Sequence, residues 1–160
     1  MTPTDLASLI ETHPDRKELP VACVLAVCQI ESGYNTWAYR YEPGFRYLVG
    51  DVGIMSPTEK TQQMASWGLM QVMGAVAREA GLTGFCSQLC DPAIGLAYGM
   101  RHLRRFYTKY QSWPDALASY NAGSPRKNQA GQYFNQSYVD KVLKAWSELE
   151  VPIPLKETEV

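Results

Sequence analysis

The chain has 160 residues, which suits one compact domain around one hydrophobic core. With 46% apolar and 19% charged residues it lies far from the composition of a disordered chain. Its 15 Lys and Arg against 16 Asp and Glu leave a formal charge of −1, which excludes the electrostatic footprint of a nucleic-acid binder and any sequence-wide pull toward anionic membranes.

The start, from Met1 to Leu6, lacks a basic segment followed by an apolar run. The expectation is therefore a product made in the cytoplasm without a signal peptide. A short helix over about residues 4–12 should end before Pro14. The next should begin at Pro20, suited to a first helical turn, and run to about Ser32, with Gly33 as its C-terminal cap. Within it lies the longest apolar run, residues 21–28, which is too short to span a bilayer. Cys23 and Cys28 there read as small core residues. Residues 34–57 mix Tyr, Gly and Pro with β-prone pieces such as Phe45 to Val49; they are the stretch expected to hold strands or a lid.

Helical spacing returns at Pro57 and continues through Gly68, Leu69, Met70, Val72 and on to Ala80. Cys86 and Cys90 bracket a short loop and could close a disulfide in an oxidising compartment, although free thiols are favoured. With no C-x-x-C pair and 2 His, no zinc site is expected. Asp91 followed by Pro92 signals a helix start, and Leu96, Met100, Leu103, Tyr107 and Tyr110 recur behind it at helical steps. A further helix should cover residues 113–122. The last begins near Asn135 and is expected to bury Val139, Val142, Leu143, Trp146 and Leu149. No repeat or linker interrupts residues 1–150, and residues 151–160, with two prolines, read as a tail. The expected architecture is α+β, mainly α, with one irregular insertion.

Glu31 is the residue that does not fit. From Val21 to Ile30 nearly every residue is apolar, on all faces, so this helix belongs in the core. Glu31 stands in its last turn, where the helix dipole disfavours a carboxylate and burial favours the neutral acid. Both effects raise its pKa, as a general acid near neutral pH requires. Alternatively, the side chain simply reaches water where the helix exits.

Four fragments decide between these. Glu31-Ser32-Gly33 ends an apolar helix; Gly68-Leu69-Met70-Gln71 follows; then Ala118-Ser119-Tyr120-Asn121-Ala122-Gly123; then Tyr138. In that order they resemble the lytic transglycosylase catalytic domain, of the soluble-type lytic transglycosylase and goose-type lysozyme group, over about residues 17–148. The resemblance implies a lysozyme-like fold and a peptidoglycan-cleaving enzyme without metal or cofactor. It implies Glu31 as the single acid/base and Ser32 as the residue that helps orient it. Met70 and Gln71 match positions lining the cleft beside the acid. Tyr120 matches a tyrosine whose hydroxyl approaches the glutamate, Asn121 a neighbouring amide, and Tyr138 an aromatic facing the site from the final helix. Met70, Tyr120 and Tyr138 also suit plain core packing, and Asn121 with Gly123 could merely terminate a helix.

The interval from Glu31 to Gly68 is longer than that pattern leads one to expect. Residues 39–67 are therefore read as an insertion lobe or lid over the glycan cleft, similar to insertions in phage-type versions of the family. Its Tyr39, Tyr41, Phe45, Tyr47 and Trp67 suit stacking on sugars. The expected reaction cuts the β-1,4 bond between N-acetylmuramic acid and N-acetylglucosamine with a 1,6-anhydro product. The alternative is an inverting hydrolase, for which Glu42, Asp51 or Glu59 would supply a second carboxylate. A non-catalytic glycan-binding protein is a third reading, which a buried acid argues against. The expected partner is the peptidoglycan glycan strand, met by a monomer that acts on the cell wall after release or delivery, as a phage or bacterial lysin does.

Overall fold

Four helices carry a proline at their first or second position behind a capping side chain, an arrangement in which the missing N–H costs nothing and the side-chain oxygen satisfies an orphan amide. Thr2 caps α1 (Pro3–Thr12) and exchanges a reciprocal bond with Asp5. Ser56 caps α3 (Pro57–Gln63), Asp91 caps α5 (Pro92–Tyr110) and Ser112 caps α6 (Trp113–Ala122). The remaining helices are α2 (Val21–Ser32), α4 (Gly74–Glu79) and α7 (Gln136–Glu150), and Cys86–Cys90 forms a 3₁₀ helix. The computed structural model describes residues 1–150, Glu150 by its backbone alone. The tail expected over residues 151–160 lies outside the described residues.

Helix α2 is the central element. Residues 23–28 are all buried, as expected of a helix apolar on every face, and Gly33 ends it in the left-handed conformation at φ 58°. Its main neighbour is α7, with α1 on another side; α5 packs chiefly on α6. The principal core draws Leu6 and Ile10 from α1, Leu96, Met100 and Leu103 from α5, Leu117 from α6 and Val142 from α7 around that axis. No described helix is long and apolar enough to cross a membrane.

Two expectations about the middle of the chain are corrected. Residues 45–49 form no strand; the first strand is β1 (Tyr39–Tyr41). The helix expected from residue 57 to 80 is split by a hairpin of β2 (Ala65–Trp67) and β3 (Val72–Met73), and the three strands form one antiparallel sheet in the order β1-β2-β3. Tyr39 pairs with Trp67, and Trp67 with Val72. The backbone explains the break: Gly68 and Gln71 take φ of 71° and 47°, which no right-handed helix contains. Leu69, Met70 and Val72 have helical spacing because they are buried around a tight turn, and spacing alone cannot distinguish the two.

On α7 the apolar stripe buries Val139, Val142 and Ala145 and half-buries Leu143 and Trp146, but the expected burial of Leu149 fails: it is exposed. At 15 residues α7 outruns the 12 of α2, and the stripe stops before its last turn. On α5, Tyr107 and Tyr110 are half-buried and Phe106 takes the deeper position.

Candidate active site

Glu31 is brought to its partner by the packing of α2 on α7. The Tyr138 hydroxyl, on the first turns of α7, donates to Glu31 Oε1 at 2.7 Å. Burial pushes the Glu31 carboxyl up to about 7; the Tyr138 bond and the positive charge of Arg40, on β1, pull the other way less strongly. The carboxyl is therefore poised near neutrality, able both to hold a proton and to accept one.

The turn between β2 and β3 ties two helices together, α2 and α6. The Ser32 hydroxyl, next to Glu31, lies 2.8 Å from the Leu69 carbonyl and 3.0 Å from its own helix carbonyl at Cys28. Tyr120, on α6, donates to the Met70 carbonyl at 2.6 Å. Burial and the nearby Glu31 charge hold the Tyr120 phenol well above its ordinary pKa, so it stays protonated. Gln71 closes the turn, accepting from Ser66 Oγ at 3.0 Å and donating to the Ala38 and Gly68 carbonyls at 3.1 and 3.0 Å. Every polar end of that side chain is spent on the protein.

Hydrogen bonds tie Ser32, Tyr120 and Tyr138 to Glu31 or to the turn at 68–71, but none joins Asn121 to either among the described residues. Tyr138, which equally suited core packing, makes the hydrogen bond to the acid. Tyr120, whose hydroxyl the resemblance brings near the glutamate, feels the Glu31 charge and donates its hydrogen bond to the Met70 carbonyl. The Met70 side chain is fully buried, and Gly99 on α5 makes room for it: a Cβ there would fall 2.3 Å from the sulfur. What Met70 presents toward the site is its carbonyl. Asn121 is exposed at the end of α6, where its Oδ1 accepts from Asn135 Nδ2 at 3.0 Å.

The three candidate second carboxylates have different surroundings. Glu59 receives two bonds from Arg78, at 2.7 and 2.9 Å, and one from Gln63 at 2.9 Å; Arg78 holds it below the usual carboxylate range. Asp51 is exposed and accepts from the amide of Gly53 within its own loop. Glu42 pairs with Arg40, the same cation whose charge reaches Glu31. Trp67 in the insertion is half-buried, edge-on to Tyr39 with ring centroids 4.8 Å apart, whereas Tyr39, Tyr41 and Tyr47 remain exposed.

Two contributors carry no signal in the sequence. Arg40 is one cation among many until β1 places it beside the acid. His102, on α5, tilts against the Tyr120 ring at 5.3 Å; burial lowers it to about 4, so it sits neutral behind that phenol. All four cysteines are buried free thiols, and among the described residues no group of three His, Cys, Asp or Glu is placed to hold a metal ion.

Tyr138→Phe tests the geometry. Removing the hydroxyl removes a bond to the charged form of Glu31, so its pKa should rise above about 7. The limb of the pH–rate profile set by Glu31 deprotonation should move to higher pH, with a lower maximum. An unmoved limb would separate Tyr138 from the acid.

A model of the transglycosylase SLT domain family matches residues 8–142. That span contains Glu31, the turn at 68–71, Tyr120, Asn121 and Tyr138. No curated protein and no solved structure matches the chain.

Proposed function

Since the chain belongs to the transglycosylase SLT domain family, a lysozyme-like domain of the lytic transglycosylase type that acts on peptidoglycan, we propose that it cuts the β-1,4 bond between N-acetylmuramic acid and N-acetylglucosamine, with Glu31 as acid and then base. The observation that carries this reading is the protonatable Glu31 carboxyl, raised to about 7 by burial and held by Tyr138.

In the first step Glu31 gives its proton to the glycosidic oxygen as the bond to the muramic C1 breaks. The substrate's own N-acetyl oxygen stabilises the developing cation, so no protein nucleophile is required; such assistance is a known exception to the two-carboxylate scheme. The Glu31 carboxylate then takes the proton from the muramic C6 hydroxyl, whose oxygen closes on C1. Glu31 ends protonated again, and no water is consumed. Tyr138 supports both halves by donating to the carboxylate when it is charged. Ser32 and Tyr120 hold the acid's helix and the turn at 68–71 in register, Met70 acts through its carbonyl, and Gln71 and Asn121 position the turn and the end of α6.

An inverting hydrolase would need a second carboxylate roughly 6.5–9.5 Å from the acid to activate water. Glu59 and Glu42 are committed to Arg78 and Arg40, which favours the transglycosylase outcome. We place the exposed tyrosines of residues 39–67 along the glycan as the lobe of a single catalytic domain over residues 1–150, working as a monomer in a phage or bacterial lysin. Mass spectrometry of fragments released from sacculi in ¹⁸O-water tests the reaction. Transglycosylation leaves 1,6-anhydromuramic ends without the label; labelled reducing ends would mean hydrolysis.

A further inference from the structure

A groove of about 700 Å³ lies outside the set of residues gathered around Glu31. Its lining includes Met1, Asp5, Thr36, Trp37, Ser87 and Asp91; no residue of the turn at 68–71, nor Glu31, Tyr120 or Tyr138, takes part. Its volume is that of a small-ligand cleft. Trp37 is 77% exposed, a large apolar surface to leave in water.

The ring is held in place by its backbone. The Trp37 amide donates to Asn35 Oδ1 at 3.0 Å, the Ala38 amide to the Asn35 carbonyl at 3.2 Å, and the Ala38 carbonyl accepts from Gly68 at 2.8 Å. The indole therefore projects from a pinned loop and is not an accident of a floppy one.

The polar groups around it are partly unspent. Asp91 uses Oδ1 to cap α5, and Asp5 uses Oδ2 on Thr2, which leaves one oxygen of each without a partner among the described residues. The hydroxyls of Thr36 and Ser87 make no hydrogen bond there either. No lysine, arginine or histidine lines the groove; Met1 does, and the charge of its amino group acts on Asp5. An aromatic face beside hydroxyls and acceptor oxygens, with the amino-terminal charge offset by Asp5, suits a polyhydroxylated ring better than an anion.

We infer that this groove is a second glycan site, stacking a sugar ring of the peptidoglycan strand on Trp37 away from the bond being cut. The inference rests on the peptidoglycan-acting reading above. Its chemical logic is that of a polymer: a site outside the cleft raises the effective concentration of further bonds on the same strand without touching the reaction itself. The groove and the acid share one exit loop, since Thr36 and Trp37 follow the end of α2 directly.

The test uses Trp37→Ala and Trp37→Phe in the full chain. Removing so exposed a side chain should leave the melting temperature unchanged. Cosedimentation with intact sacculi should weaken about three- to tenfold for Trp37→Ala, the scale of one aromatic stack, and recover in part for Trp37→Phe. Cleavage of a short soluble glycan fragment should match wild type. The binding loss should persist on glycan strands stripped of their peptides by an amidase; a loss confined to peptide-bearing sacculi would assign the groove to the peptide and overturn the glycan assignment. Wild-type sacculus binding by Trp37→Ala would overturn it too, as would an equal loss on short fragments. A wild-type chain that neither binds nor cleaves sacculi would instead bring down the reading on which the inference stands.

Discussion

Glu31→Gln is expected to abolish lysis, by about 10²-fold or more, while making the protein more stable above neutral pH. The amide keeps the shape of the acid and can still accept from Tyr138, but it has no proton to give. The stability gain follows from linkage. The folded state holds the Glu31 proton up to about 7, whereas the unfolded chain releases it near 4.5. Between those values the native state binds more protons, so wild-type stability falls as pH rises through that window. Glutamine carries no such cost. The melting temperature of Glu31→Gln should exceed that of wild type at pH 8, and the gap should close toward pH 4. More than about a tenth of wild-type activity in this variant would remove Glu31 from the mechanism. A variant less stable than wild type at pH 8 would mean that the carboxylate is not strained by burial.

Gly68→Ala should be the most damaging small change in the molecule. Gly68 sits at φ 71°, in the left-handed region, and a Cβ there would fall 2.1 Å from the Leu89 carbonyl oxygen. The obstacle is backbone, so no side chain can swing aside. Left-handed strain alone costs about 1–2 kcal/mol, and forced backbone movement in a packed interior adds about 1–3 kcal/mol. Urea unfolding should therefore show a loss of about 3 kcal/mol, a large share of the stability of a domain of this size. Activity should fall with it, because the same turn offers the Leu69 and Met70 carbonyls to Ser32 and Tyr120. An unfolding midpoint equal to wild type would show that the turn can slide away from the 3₁₀ helix.

Glu31 and Tyr138 were legible in the sequence to different degrees. Glu31 announces itself, because a carboxylate in the last turn of a helix apolar on every face is a local contradiction. The helix starts at Pro3, Pro57, Pro92 and Trp113 are equally local: a proline and a capping hydroxyl or carboxylate lie within a few residues of one another. Tyr138 is different. A single aromatic at helical spacing reads as core or as site until α7 is laid on α2, 107 residues from its partner.

The hairpin at 65–73 was hidden for the opposite reason. Its apolar residues are buried on every side of a turn, which mimics a helical stripe, and the signs that break the mimicry are one glycine and a glutamine with positive φ. The fates of Met70 and Gln71 were likewise set by distant groups: Gly99 admits one side chain, and Ser66 and Ala38 absorb the other. Glu59 could be offered as a second carboxylate because Arg78, its partner, lies 19 residues away beyond the hairpin.

In the proposed mechanism, burial on α2, moderated by Tyr138, keeps Glu31 protonated near neutral pH so that it can serve as the acid. A carbon-13 NMR titration of side-chain carboxyls, with Glu31 assigned by its absence from Glu31→Gln, measures this without any assay of lysis. The account predicts a midpoint at about 7 for Glu31, displaced upward in Tyr138→Phe. A Glu31 midpoint at the ordinary glutamate value of 4.5 would contradict it.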